Sequence, residues 1–198
     1  LGIGIYLSIT TGITSDESFE QLNWDKNVLG IISLLKFGHY DEFLRYLDKY
    51  HGIAFHYISQ PIQFFISNLV SNLNEVSDFG GHLMSKHSIV FLIFSLSGIY
   101  FFRLINKITQ NLFFSYLSTS LYLLYPYLFG HSLFNMKDIP FLSVWLITTY
   151  YFLTIIEDIY FEKKIEYKKL IFISFLTAYL ISIRILGILI FLQVLISL

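Results

Sequence analysis

The chain of 198 residues is 55% hydrophobic, 19% aromatic and only 14% charged, with a mean hydropathy of +0.63. Soluble domains carry about 25% charged residues, so a fold kept in water by a charged shell is excluded and an integral membrane protein is expected. A formal net charge of −1 leaves no basic face to neutralise phosphates, which argues against a nucleic-acid partner, and the absence of cysteine rules out a disulfide framework or thiolate metal site.

The first run, LGIGIYLSIT, has no basic region before it and no small-residue cleavage site after it. Residues 1–12 therefore read as the end of a transmembrane helix and not as a signal peptide. The last run, RILGILIFLQVLISL, is also still apolar where it stops, so the sequence is expected to be part of a longer chain, cut at both ends.

Residues 13–86 form a long loop with helical content. In DESFEQLNWDKNVLGIISLLKFG, Phe19, Leu22, Val28, Leu29, Ile32 and Leu35 make a helical stripe, with Ser15 as the expected N-cap and acids in the first turn. AFHYISQPIQFFISNLVSNL is a second amphipathic piece, expected to be interrupted at Pro61. Helices this apolar, yet too polar to span, are expected to lie on the membrane surface and roof a cavity.

Four stretches then read as spans: 87–107, 111–129, 139–156 and 167–183. A single helix from Tyr167 to Leu198 would be roughly 48 Å long against an apolar core of about 30 Å. A break is therefore expected between Arg184 and Gly187, with a further helix starting over residues 186–198. No repeat, linker or low-complexity tract interrupts the chain, so one all-α, polytopic membrane domain is expected.

Basic residues in short loops set the orientation. Arg103 and Lys107 follow one span, and Lys163, Lys164, Lys168 and Lys169 precede another; both groups are expected on the cytoplasmic side. Alternation then puts residues 13–86, residues 130–138 and the Arg184 turn on the opposite side. All six histidines fall there or at its interface.

The candidate site residues lie on that face. Asp16 and Glu17 follow the first membrane helix, either as acids facing the helix macrodipole or as a carboxylate base held at the surface. Neighbours on a helix point about 100° apart, so one of the two faces a substrate; Asp16 is the choice. GHSLFNMKDIP supplies His131, Lys137 and Asp138. For these the alternatives are a polar loop histidine, a snorkelling lysine and a helix N-cap. Arg184 lies inside an apolar stretch where a central cation costs about 2.5–3.5 kcal/mol, so it is expected to pair with an anion or hold a phosphate bidentately. Lys86 and His87 start a helix on the same face, as interfacial anchors or as ligand contacts. No HxxxH or comparable spacing occurs, so the sequence does not support a metal site; a cofactor, a divalent metal included, is left open.

These motifs, in this order, resemble the amino-terminal part of GT-C fold glycosyltransferases, the group that includes protein O-mannosyltransferases and the aminoarabinose transferase of lipid A. The branch it looks most similar to is bacterial, with DE after the first helix, RH starting the second, then GHSxxNPKDIPF and RxGG. Here these read Asp16-Glu17, Lys86-His87, GHSLFNMKDIPF and RILG. Lys86 replaces an arginine, Met136 a proline and Leu186 a glycine. The resemblance implies a membrane enzyme that transfers a sugar from a polyprenyl-phosphate donor to a protein, lipid or glycan acceptor. It also implies a bacterial inner membrane with the site facing the periplasm. Asp16 and Asp138 would then be the catalytic acids, and Glu17, Lys86, His87, His131, Lys137 and Arg184 substrate contacts. The rival from another class is a secondary transporter with an Arg184/Asp138 substrate site, which the lack of paired repeats disfavours. A scaffold is the third option, disfavoured by the clustering of unlike polar residues.

Overall fold

The computed structural model describes residues 1–39, 45–47 and 51–197. Residues 40–44 and 48–50 of the expected 13–86 loop, and residue 198 of the last helix, lie outside the described residues. Among the described residues the fold is all helix, with no strand. The helices are α1 (Gly2–Thr10), α2 (Ser15–Phe37), α3 (Ala54–Asn74), α4 (Asp78–Thr109), α5 (Leu112–Leu124), α6 (Pro126–Ser132), α7 (Asp138–Tyr160), α8 (Tyr167–Ile183) and α9 (Leu189–Ser197). A 3-10 turn, Ile185–Ile188, joins the last two.

The central element is α4, against which α1, α3, α5 and α7 pack. It starts well before the expected boundary at His87. Ser77 caps it by accepting the Gly80 N–H at 3.1 Å, and Asp78 sits in its first turn. Gly81 lets α3 come close: a Cβ there would lie 2.5 Å from Cβ of Ser71. Against the expected interruption, α3 runs on through Pro61. A mid-helix proline costs about 3 kcal/mol or more; burial of Phe55 before it and Val70 after it offsets that cost.

The expected span 111–129 is broken. Pro126 has no N–H and forces Tyr125 out of helical geometry (φ −58°, ψ 119°), so α5 ends at Leu124 and the short α6 begins at Pro126. Among the described residues two helices, α4 and α7, are long and apolar enough to cross a membrane, with mean hydropathies of 2.0 and 1.7 over their best windows. The helix over Tyr167–Ile183 is shorter, at 17 residues.

Two apolar clusters hold the bundle. One joins Phe55, Ile89, Val90, Phe94, Tyr122, Met136 and Ile139 around α4. The other joins Ala54, Val144, Leu180, Ile183 and Ile190. The outer surface is apolar as well: Phe64, Phe65, Leu69, Phe113, Tyr116 and Ile171 are among the exposed side chains. Polar groups such as Glu17, Gln21, His56, Lys86 and His87 are buried instead.

Candidate functional site

The helix α2 begins with a capping box. Its N-cap is Thr14, one residue before the expected Ser15. The Glu17 carboxylate folds back onto the cap, where Oε1 accepts the Thr14 N–H at 2.7 Å and the Thr14 hydroxyl at 3.0 Å. A Thr-x-x-Glu box wins because it satisfies two otherwise unpaired backbone donors at once, which Ser15, with Ser18 three residues on, cannot do. The other Glu17 oxygen, Oε2, meets His87 Nε2 at 2.9 Å. His87 Nδ1 faces the Ser8 carbonyl at 3.0 Å and must donate to it, so one further proton lies between Nε2 and Oε2. Glu17 is thus fully engaged and 1% exposed.

Asp16 is the open carboxylate of the pair. It is exposed, and among the described residues its one hydrogen bond is a long one from the Ser15 hydroxyl at 3.4 Å. The expected 100° offset between the two acids is what separates them.

The opening of α7 forms the facing wall. Asn135 organises it: its amide oxygen accepts the backbone N–H groups of Lys137 (3.1 Å) and Asp138 (2.8 Å). Its amide nitrogen donates to His131 Nδ1 (3.2 Å) and Asp138 Oδ2 (3.1 Å). With Nδ1 accepting, a neutral His131 carries its proton on Nε2. The N-cap position weighed for Asp138 belongs to Lys137, and the capping hydrogen bonds are accepted by the Asn135 amide. Asp138 stands inside the helix as its first residue, and its carboxylate pairs with the Arg184 guanidinium. Lys137 does not reach for water; its Nζ pairs with Glu20 Oε1 at 2.9 Å.

Arg184 is presented by a break in the chain. It ends α8 in an extended conformation (φ −147°, ψ 135°), and its carbonyl accepts the Gly187 N–H at 2.8 Å to start the 3-10 turn. Gly187 is required there, because a Cβ would lie 2.8 Å from the Ile181 nitrogen and the Leu180 carbonyl carbon. Arg184 Nε is buried and, among the described residues, has no hydrogen-bond partner.

Three distant stretches, with His51 and Gly52 as a fourth at the larger lobe, thus surround two adjoining cavities that share four lining residues. The smaller lobe, about 340 Å³, is lined by Asp16, Glu17, His131, Lys137, Asp138 and Arg184, together with Thr14, Glu20 and residues 134–136. The larger, about 830 Å³, shares Asp16, Glu20, Lys137 and Arg184 and adds an apolar wall of Phe19, Ile183, Ile185 and Leu186. Six of the eight residues singled out in the sequence meet here. Lys86 and His87 do not line it; both are fully buried behind α2. Lys86 Nζ donates to Gln21 Oε1 (3.0 Å) and to His56 Nδ1 (3.2 Å). Burial, then the charges of Lys86, Lys137 and His82, push the His56 pKa down to about 2, so the ring is neutral and free to accept.

Sequence reasoning misses Glu20, Gln21, Asn135 and His56. Glu20 follows Asp16 by one helical turn, and that spacing is a usable signal. Asn135 lies inside the quoted motif, but nothing local distinguishes an organising amide from a loop amide. Among the described residues no group of three or more His, Asp or Glu side chains is placed to hold a metal. Comparisons with family models, curated proteins and solved structures return no match to this chain.

Proposed function

We propose that this chain is a membrane glycosyltransferase that uses a polyprenyl-phosphate sugar and works on the extracytoplasmic side. The observation that carries the reading is the convergence of an open carboxylate, Asp16, with two cations, Lys137 and Arg184, around one cavity. Asp16 takes the proton from an acceptor hydroxyl as its oxygen attacks the anomeric carbon. The bond from that carbon to the phosphate oxygen breaks, and the phosphate leaves with the electron pair. Lys137 and Arg184 stabilise the departing charge, exchanging Glu20 and Asp138 for phosphate oxygens as the donor enters. The transition state is oxocarbenium-like, as in glycoside hydrolysis.

The membrane part of the reading is supported by α4 and α7, by the apolar exterior and by serine- and threonine-rich helix contacts. A cytoplasmic placement is supported by Arg103 and Lys107 near the end of α4, Lys163 and Lys164 after α7, and Lys168 and Lys169 at the start of α8, none of which lines the cavity. The bacterial inner membrane, with the cavity toward the periplasm, follows from the motif resemblance. A transporter draws support from the helix break at Arg184 and its pair with Asp138.

One measurement separates them. Membranes holding the protein are given a radiolabelled polyprenyl-phosphate sugar, and label is followed into acceptor material. The enzyme predicts new glycosidic product, reduced about 10²–10⁴-fold by Asp16→Asn. Uptake into sealed vesicles without product would overturn the enzyme in favour of the transporter.

A further inference from the structure

We propose that Lys86 and His87 are positioning residues: a buried polar clamp on α4 that sets where α2, and with it Asp16 and Glu20, stands over the cavity. Helix α2 has few buried residues of its own. Its buried residues are Glu17, Gln21, Asn23 and Gly30, with no apolar side chain among them. Most of its apolar residues face outward: Phe19, Leu22, Leu29, Ile32 and Leu35 are exposed, and only Trp24, Val28 and Ile31 are half-buried. Hydrophobic burial of the helix's own side chains therefore does not fix its place. The half-buried Trp24 stacks on His56 and meets Tyr57 edge-on, both on α3.

What remains is polar. Glu17 and Gln21 are four residues apart, on one face and adjacent turns of α2. Two consecutive residues of α4 grip them: His87 takes Glu17 at 2.9 Å and Lys86 takes Gln21 at 3.0 Å. Each gripping side chain is itself held from behind. The Ser8 carbonyl of α1 fixes the His87 ring at 3.0 Å, and His56 of α3 meets the Lys86 ammonium at 3.2 Å. Gln60 of α3 closes the set by donating to Gln21 at 3.0 Å. Both clamp residues are fully buried, so water cannot replace a lost partner. The residues set by this grip are the immediate neighbours of Asp16 and Glu20. The geometry stands by itself; only its consequence for transfer rests on the proposed function.

The chain has no cysteine, which makes the test direct. Spin labels go on the exposed positions Ser18→Cys in α2 and Asn72→Cys in α3, with a control pair, Ile108→Cys in α4 and Ile159→Cys in α7. Pulsed dipolar distances are read on the full protein in lipid nanodiscs, alongside sugar transfer. Expected are a narrow α2–α3 distribution in the parent and a broad one in His87→Leu and Lys86→Met. Lys86→Arg, which keeps donors and charge, restores the narrow form, and the control distance stays fixed throughout. Transfer falls about 10²-fold with the broadening, the scale of an ångström-sized misplacement, and returns in Lys86→Arg. A narrow α2–α3 distance in both apolar variants overturns the clamp. So does equal broadening of the control pair, which would assign the two residues to the bundle core. If distances behave as expected while the parent transfers no sugar, the proposed function fails and the clamp stands.

Discussion

The two halves of α4 are built on opposite plans. From Leu83 to Val90 every residue is buried, whichever way it points, because α1, α2, α3 and α7 surround the helix. Beyond Phe91 burial becomes one-sided, at Phe94, Ser97, Gly98 and Leu104, while Leu92, Leu96 and Ile99 are exposed. The enclosed half holds Lys86 and His87 without solvent. The open half carries its cations at the edge: Arg103 lies over the Tyr100 ring at 5.5 Å, and Lys107 pairs with Glu157 at 2.5 Å while both remain partly exposed. The same residue types therefore do different work. At the open end they meet solvent and aromatic rings; at the enclosed end each must be matched by a built partner.

The sharpest way to break this contrast is to remove one partner at each end. His87→Leu strands the Glu17 carboxylate in a buried site and is expected to cost about 3–5 kcal/mol. Lys107→Met removes a partly exposed pair and should cost no more than about 1 kcal/mol. Reversible unfolding in mixed micelles checks both; equal losses would abolish the distinction between the halves. The apolar counterpart is somewhat smaller in what it teaches. Phe94→Ala empties a fully buried site against Tyr122 and is expected to cost about 3–5 kcal/mol, whereas Leu96→Ala, on the exposed side of the same helix, leaves no internal cavity and should change stability little.

How much of this is legible in the sequence follows from the same contrast. One-sided burial leaves a periodic trace, and α7 and α8 show as apolar runs. Full enclosure leaves none: the polar letters of Lys86 and His87 look like the edge of a span, which is why the sequence puts the helix start at His87 and not at Asp78. The break at Arg184 is legible from length alone, because one helix over Tyr167–Leu198 would be too long. The break at Tyr125 is hidden because Pro126 sits within an otherwise continuous apolar run. Asp16, His131, Lys137, Asp138 and Arg184 stand out as polar residues in costly places. Their pairing does not, since Glu20 with Lys137 and Arg184 with Asp138 join residues far apart in the chain.

A pH titration sharpens the enclosed half further. His56 is held neutral in the fold, its pKa lowered from 6.5 to about 2 by burial and then by the nearby cations. Sign follows from linkage: the unfolded chain takes up this proton below about 6.5, and the folded chain does not until about 2. Stability contributed by a neutral His56 is therefore complete above pH 6.5 and is lost progressively as pH falls toward 2. His56→Gln, which still offers Lys86 an acceptor, should flatten that part of the stability profile. An unchanged profile would mean that another group sets the acid response.

A small effect on stability, and the most informative one for the cavity, is expected of Asp138→Asn. Asn135 already accepts the Asp138 N–H at 2.8 Å, so the substitution leaves the start of α7 capped. The pair it removes is half-open, with Asp138 57% and Arg184 34% exposed. Water can solvate both ends, and the loss should stay within about 1 kcal/mol. Arg184 changes more than the fold does, because its guanidinium loses the carboxylate that occupies it. Two outcomes then divide the readings of Asp138. If its carboxylate is needed in transfer, product falls at least about tenfold while the melting profile barely moves. If Asp138 only holds Arg184 until a phosphate arrives, freeing the guanidinium strengthens donor binding and lowers KM with kcat kept. Measuring both constants on Asp138→Asn beside the parent therefore decides whether the charge at the head of α7 acts on the substrate or keeps its place.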